Sequence, residues 1–187
     1  MRKIPSLFVR DGAVLTRLYN QTALWVVNGE SVATRKWDGT AVRWHDGKLW
    51  ARYDAKRGKT PPPDFVPCQE PDSITGHHPG WVPATRPEDR WIRECAGIGT
   101  WQDGTYEACG PGIGGNPERL QDHRLVRHGA EILFDVPRDY NGLCAYFATK
   151  NIEGVVWWRD ITDVNCDKVK ITGVALGVDR PIGEASR

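Results

Sequence analysis

Short stretches of alternating apolar and polar residues dominate the first half of the chain. Thr40 to Trp44 and Leu49 to Tyr53 both alternate, and His45-Asp46-Gly47-Lys48 between them contains the Asp-Gly pair typical of a tight turn. A second Asp-Gly pair, Asp103-Gly104, precedes another alternating run at Thr105 to Cys109. These patterns predict a β-hairpin and a further strand.

The second half mixes helical and strand patterns. Apolar residues recur at helical spacing in Asp139 to Lys150, whereas Gly154 to Arg159 and Lys168 to Gly173 have strand character. Thr60 to Arg90 is rich in proline and predicts an excursion over the surface without regular helix or central strand. The Gly/Pro-rich stretch Gly110 to Pro117 predicts a loop at a cleft rim.

The predicted class is therefore α+β, with mainly antiparallel sheets flanked by helices. A length of 187 residues favours one compact domain spanning residues 1–187. The apolar runs are far shorter than the roughly 20 residues of a membrane span, which predicts a protein without membrane segments. Five widely spaced cysteines without a secretory signal predict reduced thiols and a cytoplasmic location.

Charge gives no global attraction to nucleic acid. The 25 Lys and Arg residues against 24 Asp and Glu leave a formal net charge of +1, so any RNA contact must be a local patch. Two clusters are candidates, and a solvated charged face is the favoured interpretation of both. They are Arg86, Arg90 and Arg93 with Trp91, and Arg119, Arg124 and Arg127 with His123.

Candidate chemistry starts at Lys36-Trp37-Asp38-Gly39, a Lys-x-Asp-Gly motif ahead of the first hairpin strand. Residues two apart on a strand share a face, so Lys36 and Asp38 would suit a nucleophile flanked by a carboxylate. Gly39 would let a ligand or backbone approach closely. When this motif is taken alone, a surface strand with a salt-bridged pair is the favoured interpretation.

Further charged residues follow in a fixed order along the chain. These residues are Arg52 and Lys56, Glu107, Glu153, and Lys168 and Lys170. Together with Lys36 they resemble the ordered motifs of the covalent nucleotidyltransferase superfamily, which contains DNA ligases, RNA ligases and mRNA-capping enzymes.

Longer segments that carry a closer resemblance are spread across most of the chain. They are Lys3-Ile4-Pro5 with Phe8-Val9, Leu49-Trp50-Ala51-Arg52, Pro79-Gly80-Trp81-Val82-Pro83, Gly114-Gly115-Asn116-Pro117, His128-Gly129-Ala130, Ile152-Glu153-Gly154-Val155-Val156-Trp157 and Arg180-Pro181-Ile182. These segments resemble the 5′-to-3′ RNA ligase family known from vertebrates. Several of them have no general role in the superfamily, so they specify the family better than Lys-x-Asp-Gly does.

The resemblance implies an ATP-dependent ligase that seals RNA ends in three steps. Lys36 would take AMP from ATP, AMP would pass to a 5′-phosphate RNA end, and a 3′-hydroxyl would then attack. A lysine attacks phosphorus only when it is neutral, and nearby cations or burial favour that form. Arg52, Lys168 and Lys170 are the candidate cations, and the last two share one strand face through their i, i+2 spacing.

The remaining roles are also implied by the resemblance. Glu153 and Asp38 would serve a Mg²⁺ or Mn²⁺ site, and Glu107 would orient the ribose or a hydrated metal. Thr34 would contact adenine, although a plain strand threonine is an equally good interpretation. Lys56 would join the nucleotide contacts, and Phe134 is a candidate for stacking on the purine or for the core.

Three alternatives remain open from sequence. A DNA-nick ligase or a guanylyltransferase would use the same fold, and a nucleotide- or RNA-binding module would lack catalysis. The chain ends soon after Lys170, which leaves no room for an OB-fold domain and argues against the capping enzyme. Full ligation would then depend on this one domain or on a partner protein whose identity the sequence does not give.

Overall fold

The computed structural model describes residues 2–12, 14–163 and 165–181. In chain order its strands and helices are β1 (Phe8–Asp11), β2 (Val14–Tyr19), α1 (Leu24–Val27), β3 (Val32–Lys36), β4 (Thr40–His45), β5 (Lys48–Ala55), β6 (Val66–Pro67), β7 (His78–Pro83), α2 (Arg90–Ala96), β8 (Gly104–Cys109), β9 (Arg124–Arg127), β10 (Ile132–Leu133), α3 (Tyr140–Thr149), β11 (Gly154–Trp158) and β12 (Lys168–Thr172). The class is α+β, and the strand ladders within its sheets are antiparallel.

The chain divides into two compact units. The first contains Asp38–His128 with the first three residues, and the second contains Ile4–Trp37 and Gly129–Arg187. Each unit has its own hydrophobic core. The boundary after Trp37 separates the two halves of the Lys-x-Asp-Gly motif.

The first unit is built on a six-stranded sheet with the order β6-β7-β5-β4-β8-β9. Alternate residues of its strands face the core, which α2 covers through Ile92, Cys95 and Ala96. The sheet residues that belong to this core are Val42, Ala51, Val82, Tyr106, Ala108 and Leu125. The opposite face of this sheet is therefore left to the residues that lie between them in sequence.

The second unit is built on a four-stranded sheet with the order β10-β3-β11-β12. Its buried residues pack with α3 through Leu143 and Phe147, and the hairpin β1-β2 adds Phe8 and Leu15 to the same core. Asp139 accepts a hydrogen bond from the Gly142 N–H at 2.8 Å and caps the N-terminus of α3.

Several local predictions are confirmed. The hairpin is formed by β4 and β5, the strand after Asp103-Gly104 is β8, and the predicted helix and two late strands correspond to α3, β11 and β12. The Gly/Pro-rich stretch 110–117 is a loop. No helix among residues 2–12, 14–163 and 165–181 is both long enough and apolar enough to cross a membrane.

The prediction for the proline-rich stretch is wrong at β7, which is an interior strand of the first sheet. The Pro79 carbonyl accepts from Cys68 N on the side of β6, and a residue of an antiparallel strand directs its N–H and C=O to the same side. Pro79 and Pro83 are four positions apart and so direct their backbone groups to the same side, which means that both lack N–H groups only toward the short strand β6. The ladder with β5 stays intact.

Lys36 and Asp38 do not lie on one strand, which corrects the expected shared face. Lys36 is the last residue of β3, and Asp38 precedes β4 in the other sheet. Gly39 makes the close backbone approach that was predicted, because a Cβ there would lie 2.2 Å from the Ala108 carbonyl oxygen. The chain leaves β3 at this point and enters a different sheet.

Candidate functional site

Four predicted site residues share one face of the four-stranded sheet in the second unit. Directly paired residues of neighbouring strands lie on the same face, and the register forms the rows Thr34–Val156–Lys170 and Val32–Trp158–Lys168. The intervening residues, such as Val155 and Trp157, belong to the core. We call the face that carries Thr34, Lys36, Lys168 and Lys170 the lysine face.

Lys36 forms an ion pair with Glu153 on this unit. The Lys36 Nζ contacts the Glu153 Oε2, and both side chains are about four-fifths buried, with 23% and 20% exposed. Glu153 directly precedes β11, whose first residue, Gly154, pairs with Lys36. The register of β3 and β11 therefore places the proposed nucleophile beside the carboxylate.

Gly154 leaves the position beside Lys36 without a side chain. A Cβ at Gly154 would lie 2.2 Å from the Ile171 carbonyl oxygen and 3.0 Å from the Thr172 Cα. No real Cβ tolerates such contacts, so only glycine fits between the paired strands here. Lys36 therefore has no side chain directly opposite it on β11.

Thr34 is held inside a hydrogen-bond chain. Its hydroxyl accepts a bond from Trp158 Nε1 at 2.9 Å and donates to the Val156 carbonyl at 3.2 Å. The residue is only 1% exposed. The structure therefore assigns the hydroxyl hydrogen to the protein backbone and leaves adenine contact by Thr34 a hypothesis.

Lys168 is a buried cation at the first position of β12. The residue is 8% exposed, its Nζ lies 4.3 Å from the centre of the Trp158 ring, and it donates to the Cys166 carbonyl at 3.2 Å. Burial lowers the pKa of the Lys168 ammonium below its ordinary value of 10.5, because removal from water penalises the charged form. Nearby acidic groups act in the opposite direction.

Lys170 lies two residues further along the same face. Its backbone is fixed on the outer side of the strand by the N-terminal segment, since Leu7 N donates to the Lys170 carbonyl and Lys170 N donates to the Pro5 carbonyl. The prediction that Lys168 and Lys170 share one strand face is confirmed.

The other predicted site residues belong to the first unit. Glu107 and Arg52 lie on the face of the six-stranded sheet opposite its core, each next to a buried residue in sequence. Arg52 donates to Cys68 Sγ at 3.3 Å and lies over the Trp81 ring at 5.2 Å. Lys56 follows β5 at an exposed position.

Glu107 is paired with a histidine that was not among the predicted site residues. His128 Nε2 lies 2.9 Å from Glu107 Oε2, and His128 Nδ1 lies 2.9 Å from the Thr105 hydroxyl. The His128 backbone N–H also donates to the Thr105 carbonyl at 3.1 Å. The Glu107 carboxylate therefore has a fixed orientation on the sheet face.

Asp38 is anchored through its backbone. Its N–H donates to Glu118 Oε1 at 2.9 Å, within the first unit. Glu118 follows the Gly/Pro-rich loop and was also missed from sequence. Its signal was its position directly after the Gly-Asn-Pro segment of the resemblance.

The two basic clusters meet in the structure. Trp91 of α2 stacks on His123 with ring centres 5.2 Å apart and planes 11° apart, and Arg90 lies over Trp91. Gly112 permits this packing, since a Cβ there would lie 2.6 Å from Trp91 Nε1. Several of the arginines are committed to internal contacts, as Arg86 is with Asp89.

A separate group of possible metal ligands lies at the tip of the β4-β5 hairpin. Among the described residues, His45, Asp46 and Asp103 place one ligand atom each within 4.8 Å of one another. His45 Nδ1 is already within 2.8 Å of the Asp103 carboxylate. This exposed group contains neither Glu153 nor Asp38, the carboxylates predicted for Mg²⁺.

Phe134 is not a core residue, since 80% of it is exposed directly after β10. β10 pairs with β3 through Ile132 and Thr34, so Ile132, two residues before Phe134, lies on the lysine face.

No known protein-family model matches the chain, and no curated protein matches it significantly in sequence. The assignment of a function therefore depends on the chemistry of the residues just described.

Proposed function

We propose that the chain is an ATP-dependent RNA ligase that joins 5′-phosphate and 3′-hydroxyl RNA ends through a lysyl-AMP at Lys36. The observation that most supports this proposal is the lysine face, on which the candidate nucleophile comes from β3 and two further lysines come from β12, with β11 between these two strands in the same sheet. A plain solvated surface does not explain a lysine as buried as Lys168.

The first chemical step needs a neutral Lys36 amine that attacks the α-phosphorus of ATP. The Lys36 ammonium must lose a proton first, and the Glu153 carboxylate is in contact with it to accept that proton. The new N–P bond forms as the bond to the bridging oxygen breaks and pyrophosphate leaves. Lys168 and Lys170 supply positive charge for that leaving group.

Two further steps complete the proposed reaction. A 5′-phosphate oxygen of RNA attacks the AMP phosphorus and releases Lys36, which leaves an RNA end carrying AMP. The RNA 3′-hydroxyl then attacks the 5′-phosphorus, and AMP leaves as the phosphodiester forms. Each step exchanges one phosphorus bond for another, so ATP supplies the free energy.

The carboxylate of Glu153 fits a role in holding Mg²⁺. It is a hard oxygen donor next to the reacting amine, and Mg²⁺ uses one or two carboxylates together with phosphate oxygens and waters. Mg²⁺ bound there would offset triphosphate charge and weaken the stabilisation of the Lys36 ammonium by Glu153. Asp38 is the second proposed carboxylate.

The proposal is tested by covalent labelling. Purified protein is incubated with α-³²P-labelled ATP or GTP and Mg²⁺, resolved under denaturing conditions and mapped by peptide analysis. Label from ATP on Lys36 is expected; Lys36→Arg should abolish it, whereas Lys48→Ala, at an exposed position of β5, should not. Label from GTP would replace the ligase with a guanylyltransferase.

The nucleic-acid substrate is tested in the next stage. Adenylylated protein is offered 5′-phosphate RNA, then the matching DNA, with 3′-hydroxyl acceptors. Sealing of RNA in preference to DNA is expected. Preferential sealing of nicked DNA would move the assignment to a DNA ligase, and absence of any label from a folded, AMP-free preparation would leave a binding module.

A further inference from the structure

His128 makes two side-chain contacts that together fix the direction of one carboxylate. Its Nε2 is 2.9 Å from Glu107 Oε2 and its Nδ1 is 2.9 Å from the Thr105 hydroxyl. The side chains of His128 and Glu107 are 19% and 12% exposed. A carboxylate this well covered needs hydrogen-bond donors, and His128 supplies one.

Backbone contacts hold this arrangement in place. β8 and β9 pair through Glu107 and Val126, and the His128 N–H directly after β9 donates to the Thr105 carbonyl. The imidazole thus starts from a fixed point, two residues along β8 from the carboxylate it contacts. Because a carboxylate oxygen accepts hydrogen bonds, His128 Nε2 is the donor in the contact with Glu107.

The pairing leaves acceptor capacity on Glu107, for which the resemblance implies contact with the ribose or with a hydrated metal. The His128 donor occupies one acceptor position at Oε2. The carboxylate keeps acceptor capacity for a neutral donor such as a sugar hydroxyl, because each oxygen has two lone pairs. A hydroxyl of a ribonucleotide has the required chemistry.

We propose that His128 is a positioning residue that orients Glu107 to accept a hydrogen bond from a ribose hydroxyl of the bound nucleotide. This inference rests on the proposed function, since it places the nucleotide of that reaction at Glu107. It makes His128 a determinant of the choice between ribonucleotide and deoxyribonucleotide. Thr105 serves by fixing the imidazole.

Two substitutions separate positioning from a merely structural role. His128→Gln places an amide N–H near the position of Nε2, so it keeps the donor to Glu107. His128→Asn places its amide near Nδ1, so it keeps only the contact with Thr105. If His128 acts through Glu107, glutamine should rescue and asparagine should not.

The experiment measures binding of α,β-methylene-ATP, a non-cleavable analogue, and of its 2′-deoxy and 3′-deoxy forms by calorimetry. For His128→Asn we expect about 5- to 10-fold weaker binding of the ribonucleotide, the loss of one well-placed hydrogen bond. The deoxy form that lacks the hydroxyl contacted by Glu107 should bind to the His128→Asn variant as tightly as it binds to the wild type. His128→Gln should resemble the wild type, and KM for ATP should rise in the asparagine variant without a matching fall in kcat.

Four results would overturn the inference. Equal losses for all three nucleotides, or equal behaviour of the Gln and Asn variants, would reduce His128 to a structural residue. An effect of His128→Asn that persists in a Glu107→Ala background would show that it does not act through Glu107. Wild-type protein that binds the analogue but gives no label on Lys36 would refute the ligase proposal alone; wild-type protein that binds no nucleotide would refute both.

Discussion

The Lys36 ammonium contacts the Glu153 carboxylate. This contact connects the last residue of β3 with the residue that directly precedes β11. The two residues are 117 positions apart in the chain. Their contact depends on the register in which Gly154 faces Lys36. A slip of one residue would turn Lys36 to the core face of the sheet.

The ion pair predicts an energetic coupling in the protein without nucleotide. Lys36→Met and Glu153→Gln remove one charge each, and a double-mutant cycle followed by urea unfolding should give a coupling free energy of about 1–2 kcal/mol. The reason is that each single variant removes the opposite charge from beside a largely buried charged side chain. A coupling near zero would mean that the pair does not form in solution.

Glu153→Gln should also slow covalent labelling of Lys36. The amide does not accept the Lys36 proton, and it binds Mg²⁺ less well than the carboxylate does. We therefore expect the labelling rate to fall by about 100-fold, within the range for acid–base groups. Single-turnover labelling at limiting Mg²⁺ measures this rate. Glu131→Gln, which alters a half-exposed partner of Arg35, is the control and should label normally.

Lys168→Met should stabilise the fold while it impairs labelling. The methionine keeps the buried stem and removes a charge whose pKa is lowered by burial. At pH values below the lowered pKa of Lys168, the gain should be about 1 kcal/mol, or roughly 2–4 °C in Tm for a chain of this size. The gain should shrink as the pH rises toward 10.5, where the lysine becomes neutral in both states. A gain that grows with pH would contradict the assignment.

Thr34→Val tests whether the threonine hydroxyl has a structural role. Valine leaves the Trp158 Nε1 hydrogen without its acceptor, which should cost about 1–2 kcal/mol of unfolding free energy. Thr34→Ser keeps the hydroxyl and should lose much less. The ratio of ATP to GTP labelling should stay the same in both variants; a changed ratio would support adenine contact at Thr34.

Gly154→Ala should be strongly destabilising. The new Cβ would lie 2.2 Å from a backbone oxygen that is fixed in β12, so strands must separate at a cost of about 2–4 kcal/mol. Gly104→Ala in β8 is the matched control, because its Cβ would meet only ordinary contacts of 3.7 Å or more. Thermal unfolding of both variants gives the comparison, and equal losses would show that the strand contact at Gly154 relaxes easily.

The cysteines should divide into two reactivity classes. Burial raises the pKa of Cys95 to about 11 and that of Cys109 to about 12, so neither forms appreciable thiolate at pH 8. Cys68, Cys144 and Cys166 are partly exposed. Iodoacetamide at pH 8 followed by mass spectrometry of the native protein should modify these three first. Early modification of Cys95 or Cys109 would show that their surroundings open readily.

The local elements followed from the sequence because each is specified by nearby residues. The β4-β5 hairpin depends on one Asp-Gly turn, α3 on its apolar spacing and the Asp139 cap, and the shared face of Lys168 and Lys170 on strand alternation. β7 was missed because proline content was weighed without knowing which side of the strand lacks donors.

The candidate site depends on information that local patterns do not contain. The pairing of β3 with β11 follows from the packing of the whole unit. The Lys36–Glu153 contact therefore could not be predicted from the spacing of these residues in the sequence. The same is true of His128, which reaches Glu107 only because β9 pairs with β8. The signal available for His128 was its place in the His-Gly-Ala segment of the family resemblance.

The N-terminal residues that bond to Lys170 make β12 unavailable as an open sheet edge. Ser6 forms a parallel bridge with Lys170, and the flanking backbone groups of Pro5 and Leu7 complete the pairing. An exposed edge is a template for strands of other molecules. Deletion of the first seven residues should therefore favour intermolecular strand addition at β12, so an affinity tag is better attached without trimming this segment.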